Sequence, residues 1–391
     1  MNLPSLSEFE PFSLERLLKT CFELPSVSLK PCILIDLPDV QRLIDFSFLE
    51  DTGFTVQKRA VYDFLNPLNA GIGDNLNLQS CDLFAFPTTG GSNLDPEGGL
   101  LSLEGKHIDW ERDLCTSYDL ILAITDFSLT APLTAYAKKY GFRGATLHGV
   151  NEIILNSGLS VDYMDVSRQA ESYRLALDHA EKFVLTFECL SRTYELTIEC
   201  AEQSAQKSHG LCPTGTPDVA NLPAGEVYFV PTGAEGSFPF RFGDGTLAEM
   251  IVEKGAIQRA VWISGDTNLI EQRNHQLQQD PATGIIGELG FGTQLLPVSG
   301  RDIQDEKILG TCHIATGRSD HLGGDLTPSF FKSRINATHD DILYAPFKTP
   351  EISVSKVVMQ KMDQSSAILE NFAPTSFLID QLSPDYGLKL V

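Results

Sequence analysis

Short apolar runs that alternate with helix-patterned segments fill the first half of the chain, and that alternation restricts its fold more than any other feature. Ile33-Leu34-Ile35, residues 81–86 and residues 120–124 are apolar and of strand length. Leu37 to Glu50 carries Val40, Leu43, Ile44, Phe46 and Phe48, mostly at helical spacing. Ser128 to Lys139 has a hydroxyl near its start and Gly141 just beyond its end, the signals that open and close a helix. Strands separated by helices pair in parallel, so the expected structure here is a parallel sheet with helices on its faces.

Tyr163 to Lys182 is the last strongly patterned helix, with Val166, Ala170, Tyr173, Leu175, Leu177 and Ala180 forming its apolar stripe. Beyond it the texture changes to short, glycine-punctuated β segments at 183–187, 194–198, 226–230, 250–252 and 260–263. The expected organisation is an α/β domain over 1–185, followed by a β-rich (α+β) domain over 186–391. The glycines of Thr88-Thr89-Gly90-Gly91-Ser92 and Gly98-Gly99 lack the lysine of a P-loop and the spacing of a dinucleotide turn. They read as a mobile surface loop, and a nucleotide site is ranked last.

Charge narrows the partners. Fifty-two acidic against 29 basic residues leave a formal net charge of −23, which repels phosphate backbones and anionic membrane surfaces. Neither nucleic acid nor a membrane is expected. The N-terminus has no basic or apolar leader segment, and no stretch approaches the roughly 20 apolar residues needed to span a bilayer. Eight cysteines without a C-x-x-C pair suggest reduced thiols and a cytoplasmic protein.

Metal-capable side chains gather in the second half. Glu226 follows Pro223 and Gly225 at the start of a β segment, where the alternative reading is a solvated strand-end carboxylate. Glu288 sits in the apolar, glycine-rich string Gly284 to Gly292; if buried, it needs a metal or an arginine, because an unpaired buried charge costs several kcal/mol. Three of the eight histidines, His313, His321 and His339, fall among Asp and Glu residues between 305 and 341. In an extended strand His339 and Asp341 share a face and can meet one ion, a mixed shell that suits zinc, cobalt or manganese better than calcium.

Four strings, Asn-Leu-Pro-Ala-Gly-Glu-Val at 221–227, Gly-Glu-Leu-Gly-Phe-Gly-Thr at 287–293, Asp-Glu-Lys-Ile-Leu-Gly-Thr-Cys-His-Ile-Ala at 305–315 and His-Asp-Asp at 339–341, resemble in order and spacing the M29 family of metallo-aminopeptidases, the aminopeptidase T and AmpS group. The 119–130 segment is similar to that family's first domain. The resemblance implies two divalent metal ions held by Glu226, Glu288, His313, His339 and Asp341, with a bridging carboxylate among them. It further implies a peptide or small amide substrate, a homodimer, and Glu306 as a base or additional ligand. Where that family places a tyrosine, this chain has Arg318-Ser319-Asp320-His321, so Asp320 or His321 is the expected replacement ligand. A different class, a non-hydrolytic peptide-binding or assembly protein, is the alternative that this change favours. The segment from about residue 350 onward carries no recognisable motif.

Overall fold

All three apolar runs of the first half become strands of one sheet in the computed structural model, which describes residues 3–386. From one edge the order is Val219–Asn221, Arg143–Thr146, Leu120–Ala123, Pro31–Leu37, Asp82–Pro87, Leu100–Ser102 and His107–Ile108. The first five are parallel, and the last two extend the edge as antiparallel neighbours. Strand Pro31–Leu37 is buried along its whole length, as expected of a central strand covered on both faces. The edge strand Val219–Asn221 comes from beyond residue 185, so the polypeptide returns to the first sheet before it builds the site. The outermost residues of the expected domains, 1–2 and 387–391, lie outside the described residues.

Two antiparallel sheets follow. The larger has eight strands in the order 256–264, 247–253, 233–241, 192–199, 182–189, 352–361, 364–370 and 373–374. The segment after residue 350 is therefore part of this sheet, since Ile352–Lys361 pairs with Lys182–Cys189 near its centre. The smaller sheet has five strands in the order 339–344, 312–317, 286–292, 226–229 and 206–208. Leu289, Phe291, Val227, Phe229, Cys312 and Ile314 on one of its faces join the core shared with Phe183, Phe187 and Phe238 of the larger sheet. Phe291 meets the rings of both Phe183 and Tyr173, the latter on helix Tyr163–Leu177, and so ties three layers together.

Two local expectations need correction. The helical spacing of 37–50 yields only two single turns, Val40–Leu43 and Ser47–Glu50, because Phe46 between them takes a left-handed conformation with φ 55°. Beyond Tyr163–Leu177, read as the last strongly patterned helix, the β-rich (α+β) second half also holds the helix Thr267–Gln279, capped by Asp266. It buries only Ile270 and Leu277 and so carries almost no apolar stripe. Among the described residues no helix is long and apolar enough to cross a membrane. Replacing Phe291 by alanine opens a cavity where the layers meet and should destabilise the fold by about 3–5 kcal/mol, read as a lowered thermal midpoint.

Candidate metal centre

Strand pairing assembles the site. Glu288 and Asp341 both lie opposite Ala315, while His313 is opposite Gly290 and His339 opposite Gly317. Opposed residues of antiparallel strands project to the same face, so four neighbouring strands bring Glu226, Glu288, His313, His339 and Asp341 onto one surface. The surface has room for them because small residues pave it. A Cβ on Gly290 would stand 2.1 Å from His313 Nε2, so only glycine lets that imidazole lie across the strand.

Glu288, 4% exposed, is the centre of the group. Its Oε1 is 3.4 Å from His313 Nε2 and its Oε2 is 2.9 Å from His339 Nε2, one oxygen for each imidazole. The partner required by burial is thus a pair of histidines, with no arginine paired to it among the described residues. Two trios of possible ligands result, Glu226 with Glu288 and His313, and Glu288 with His339 and Asp341; within each, the ligand atoms lie within 4.8 Å of one another. These groups are close enough to hold a metal ion.

Hydrogen-bond polarity tests the fit. His339 Nδ1 is 2.6 Å from the carbonyl oxygen of Arg318, which can only accept, so Nδ1 carries a hydrogen. In the neutral ring Nε2 is then a lone pair, yet it faces Glu288 Oε2 at 2.9 Å and Asp341 Oδ1 at 3.4 Å. Three acceptors in such contact need a cation among them, either a proton or a metal ion. A histidine whose outer nitrogen donates to a backbone carbonyl while the inner one meets carboxylates has the arrangement that orients metal-bound imidazoles. Without metal, Glu288 is held well below the usual carboxylate range: burial favours its neutral acid, but the two imidazoles outweigh it.

Glu306 and its neighbour complete the floor. Glu306 is buried, its Oε1 accepts a 2.5 Å hydrogen bond from Lys307 Nζ, and its Oε2 has no partner among the described residues. The same ammonium lies 2.7 Å from Glu226 Oε2. Glu226 is accordingly a buried, paired carboxylate and not the solvated strand end that its position also allowed.

Asp320 is not brought into the group. Arg318 holds it through Nε–Oδ1 at 2.7 Å and Nη2–Oδ2 at 3.2 Å, and its carboxylate belongs to neither trio. The cation its carboxylate meets is the buried guanidinium beside it. His321 does line the cavity, edge-on to His339 with ring centroids 5.0 Å apart. Arg318 also binds Asp95 Oδ1 and the Asn93 carbonyl, both at 2.8 Å, while the Ser92 carbonyl accepts from His339 N–H. The 88–99 glycine loop is therefore tied down beside the site, with Asn93 and Leu94 buried, rather than lying free on the surface.

Above this floor is a cavity of about 290 Å³. Its opposite wall comes from the carboxyl end of the parallel sheet and contributes Asn93, Ser128, Thr130, His148 and Asn221. Open α/β sheets place ligands at this end. Burial pushes the His148 imidazole down to about 4, so it enters the cavity neutral. Among the lining residues that escaped sequence reasoning are Tyr228, Lys307 and His148. Tyr228 had a signal, since it is two residues from Glu226 and so on the same strand face, and Lys307 directly follows Glu306. His148 had none, because only the tertiary fold turns it toward the second half.

No protein-family model and no curated protein matches this chain, so geometry has to carry the functional argument.

Two outcomes are expected. Gly290→Ala should expel His313 from the face and lower divalent-metal retention, measured by elemental analysis, while the protein remains folded. The second concerns the metal-free protein. Burial favours neutral His313, but Glu288, Glu306 and Glu226 outweigh it and push its pKa up to about 9, while burial raises Glu306 to about 8. The folded state then holds protons that an unfolded histidine, titrating near 6.5, and an unfolded glutamate release. The contribution of His313 is complete below pH 6.5 and lost as pH rises through about 9. The thermal midpoint of chelator-treated protein should fall across that window, and added divalent ion should offset the fall.

Proposed function

We propose that the chain is a metal-dependent aminopeptidase or related amide hydrolase, diverged from the aminopeptidase T-like enzymes that its motifs resemble. One observation carries this reading: a single buried carboxylate, Glu288, offers one oxygen to each of two imidazoles at the floor of a polar cavity. Glu226, Glu288 and His313 would hold one divalent ion, and Glu288, His339 and Asp341 a second, with Glu288 shared. Zinc, cobalt and manganese all accept such mixed oxygen and nitrogen shells. The chemistry supplied by bound divalent ions is Lewis-acid activation of water and of an amide carbonyl.

The residues around them have separable tasks. Glu306 has a buried oxygen without a partner among the described residues at the cavity floor, so its carboxylate would be placed to accept a proton from an attacking water and return it to the departing amine. Lys307 holds Glu306 by its other oxygen and fixes its direction. The hydroxyl and amide groups of the opposite wall orient a polar substrate, and the tied-down 88–99 loop excludes bulk water from one side.

A non-hydrolytic binding role is the second reading, favoured by one feature. Asp320, at the expected replacement position, is already engaged by Arg318. Metal analysis and mutation separate the two. His339→Ala and Glu288→Ala should each abolish tight metal retention and hydrolysis of a panel of aminoacyl amides. Glu306→Gln should retain metal and lose about 10²–10⁴-fold in kcat, the usual worth of a general base. Unchanged metal content and rate in the first two variants would refute the proposed centre.

A further inference from the structure

The two trios are chemically unequal. Glu226 Oε2 lies 2.7 Å from Lys307 Nζ, whereas the only cation-capable group within ion-pair distance of Asp341 among the described residues is the His339 ring, at 3.4 Å. Lys307 is fixed in place: it is 1% exposed, and its ammonium is clamped between Glu226 and Glu306. Its backbone N–H donates to the Gln304 carbonyl at 2.9 Å, and its carbonyl accepts from Gln294 N–H at 2.8 Å. A divalent ion on Glu226 must therefore share that carboxylate with a fixed ammonium and sit beside its positive charge. An ion on Asp341 meets no such competitor. At these separations, in a buried site, one unit of charge outweighs small differences in ligand geometry.

We infer that the centre binds its two ions unequally, one tightly at Glu288, His339 and Asp341, and one weakly at Glu226, Glu288 and His313, because the ammonium of Lys307 already fills part of the second cation's role. This rests on the metal-centre reading above and deepens it. The resting form of the protein then carries one divalent ion together with Lys307, and the second ion is exchangeable.

The test is titration of chelator-stripped full-length protein with zinc against a chromophoric chelator, with cobalt(II) absorption as a second readout. Wild-type protein should take up one ion with at least about tenfold higher affinity than the next. Lys307→Met keeps an unbranched side chain, one atom shorter, and removes the charge; it should tighten the second ion about tenfold and leave the first unchanged. Should that variant fail to fold, Glu226→Gln gives an independent answer, since it should abolish the second ion and spare the first. Two ions of equal affinity in wild type, or a Glu226→Gln variant that loses its tight ion, would overturn the inference. No uptake of any ion by wild type would instead overturn the metal-centre reading on which it stands.

Discussion

The contact of Glu288 with His313 and His339 is the constraint on which the rest of the second half depends. A carboxylate buried in a sheet face is tolerated only if its charge is answered. Here the answer comes from the two adjacent strands, Cys312–Gly317 and His339–Tyr344, whose imidazoles arrive on the same face through the antiparallel register. That arrangement needs Gly290, because any larger residue would occupy the space of the His313 ring. It also needs the other face of the sheet to be anchored firmly, which Leu289, Phe291, Cys312 and Ile314 achieve by packing into the core shared with the larger sheet. Alternation along a strand thus links stability to chemistry: odd and even residues of one segment serve the core and the site.

Each half of the fold contributes one wall. The five-stranded sheet supplies carboxylates and imidazoles, and the carboxyl end of the parallel sheet supplies hydroxyls, amides and a neutral histidine. The return of the chain through Val219–Asn221 brings the walls together, since that strand joins the parallel sheet five residues before Glu226 opens its own strand. Arg318 then fastens the loop 88–99 to the site through Asp95 and the Asn93 carbonyl. A cavity closed on several sides by strand ends and pinned loops keeps its polar groups in fixed directions, which is what electrostatic preorganisation requires.

Much of this could be read from the chain, and the failures have physical causes. The strands at 33–35, 81–86 and 120–124 were legible because continuous apolar runs reflect burial on both faces. The side chains of His339 and Asp341 were rightly placed on one strand face by their spacing alone. The helix Thr267–Gln279 was illegible because it packs through only two buried residues, and Leu37 to Glu50 misled because helical spacing says nothing about the left-handed turn at Phe46. The Arg318–Asp320 pair was illegible for a related reason: sequence shows which side chains can bind a metal, but not which guanidinium will reach them. Lys307 was overlooked because a lysine beside acidic residues usually marks solvated surface, whereas here it is buried between two of them.

The central claim is that a divalent ion belongs on the shared carboxylate of Glu288. Anomalous scattering at the zinc edge, from crystals of the full chain grown with zinc, measures this directly. The account predicts a strong peak bounded by Glu288, His339 and Asp341, with any second peak, toward Glu226 and His313, at lower occupancy. Density free of anomalous signal around Glu288, or zinc found only at exposed carboxylates elsewhere, would contradict it.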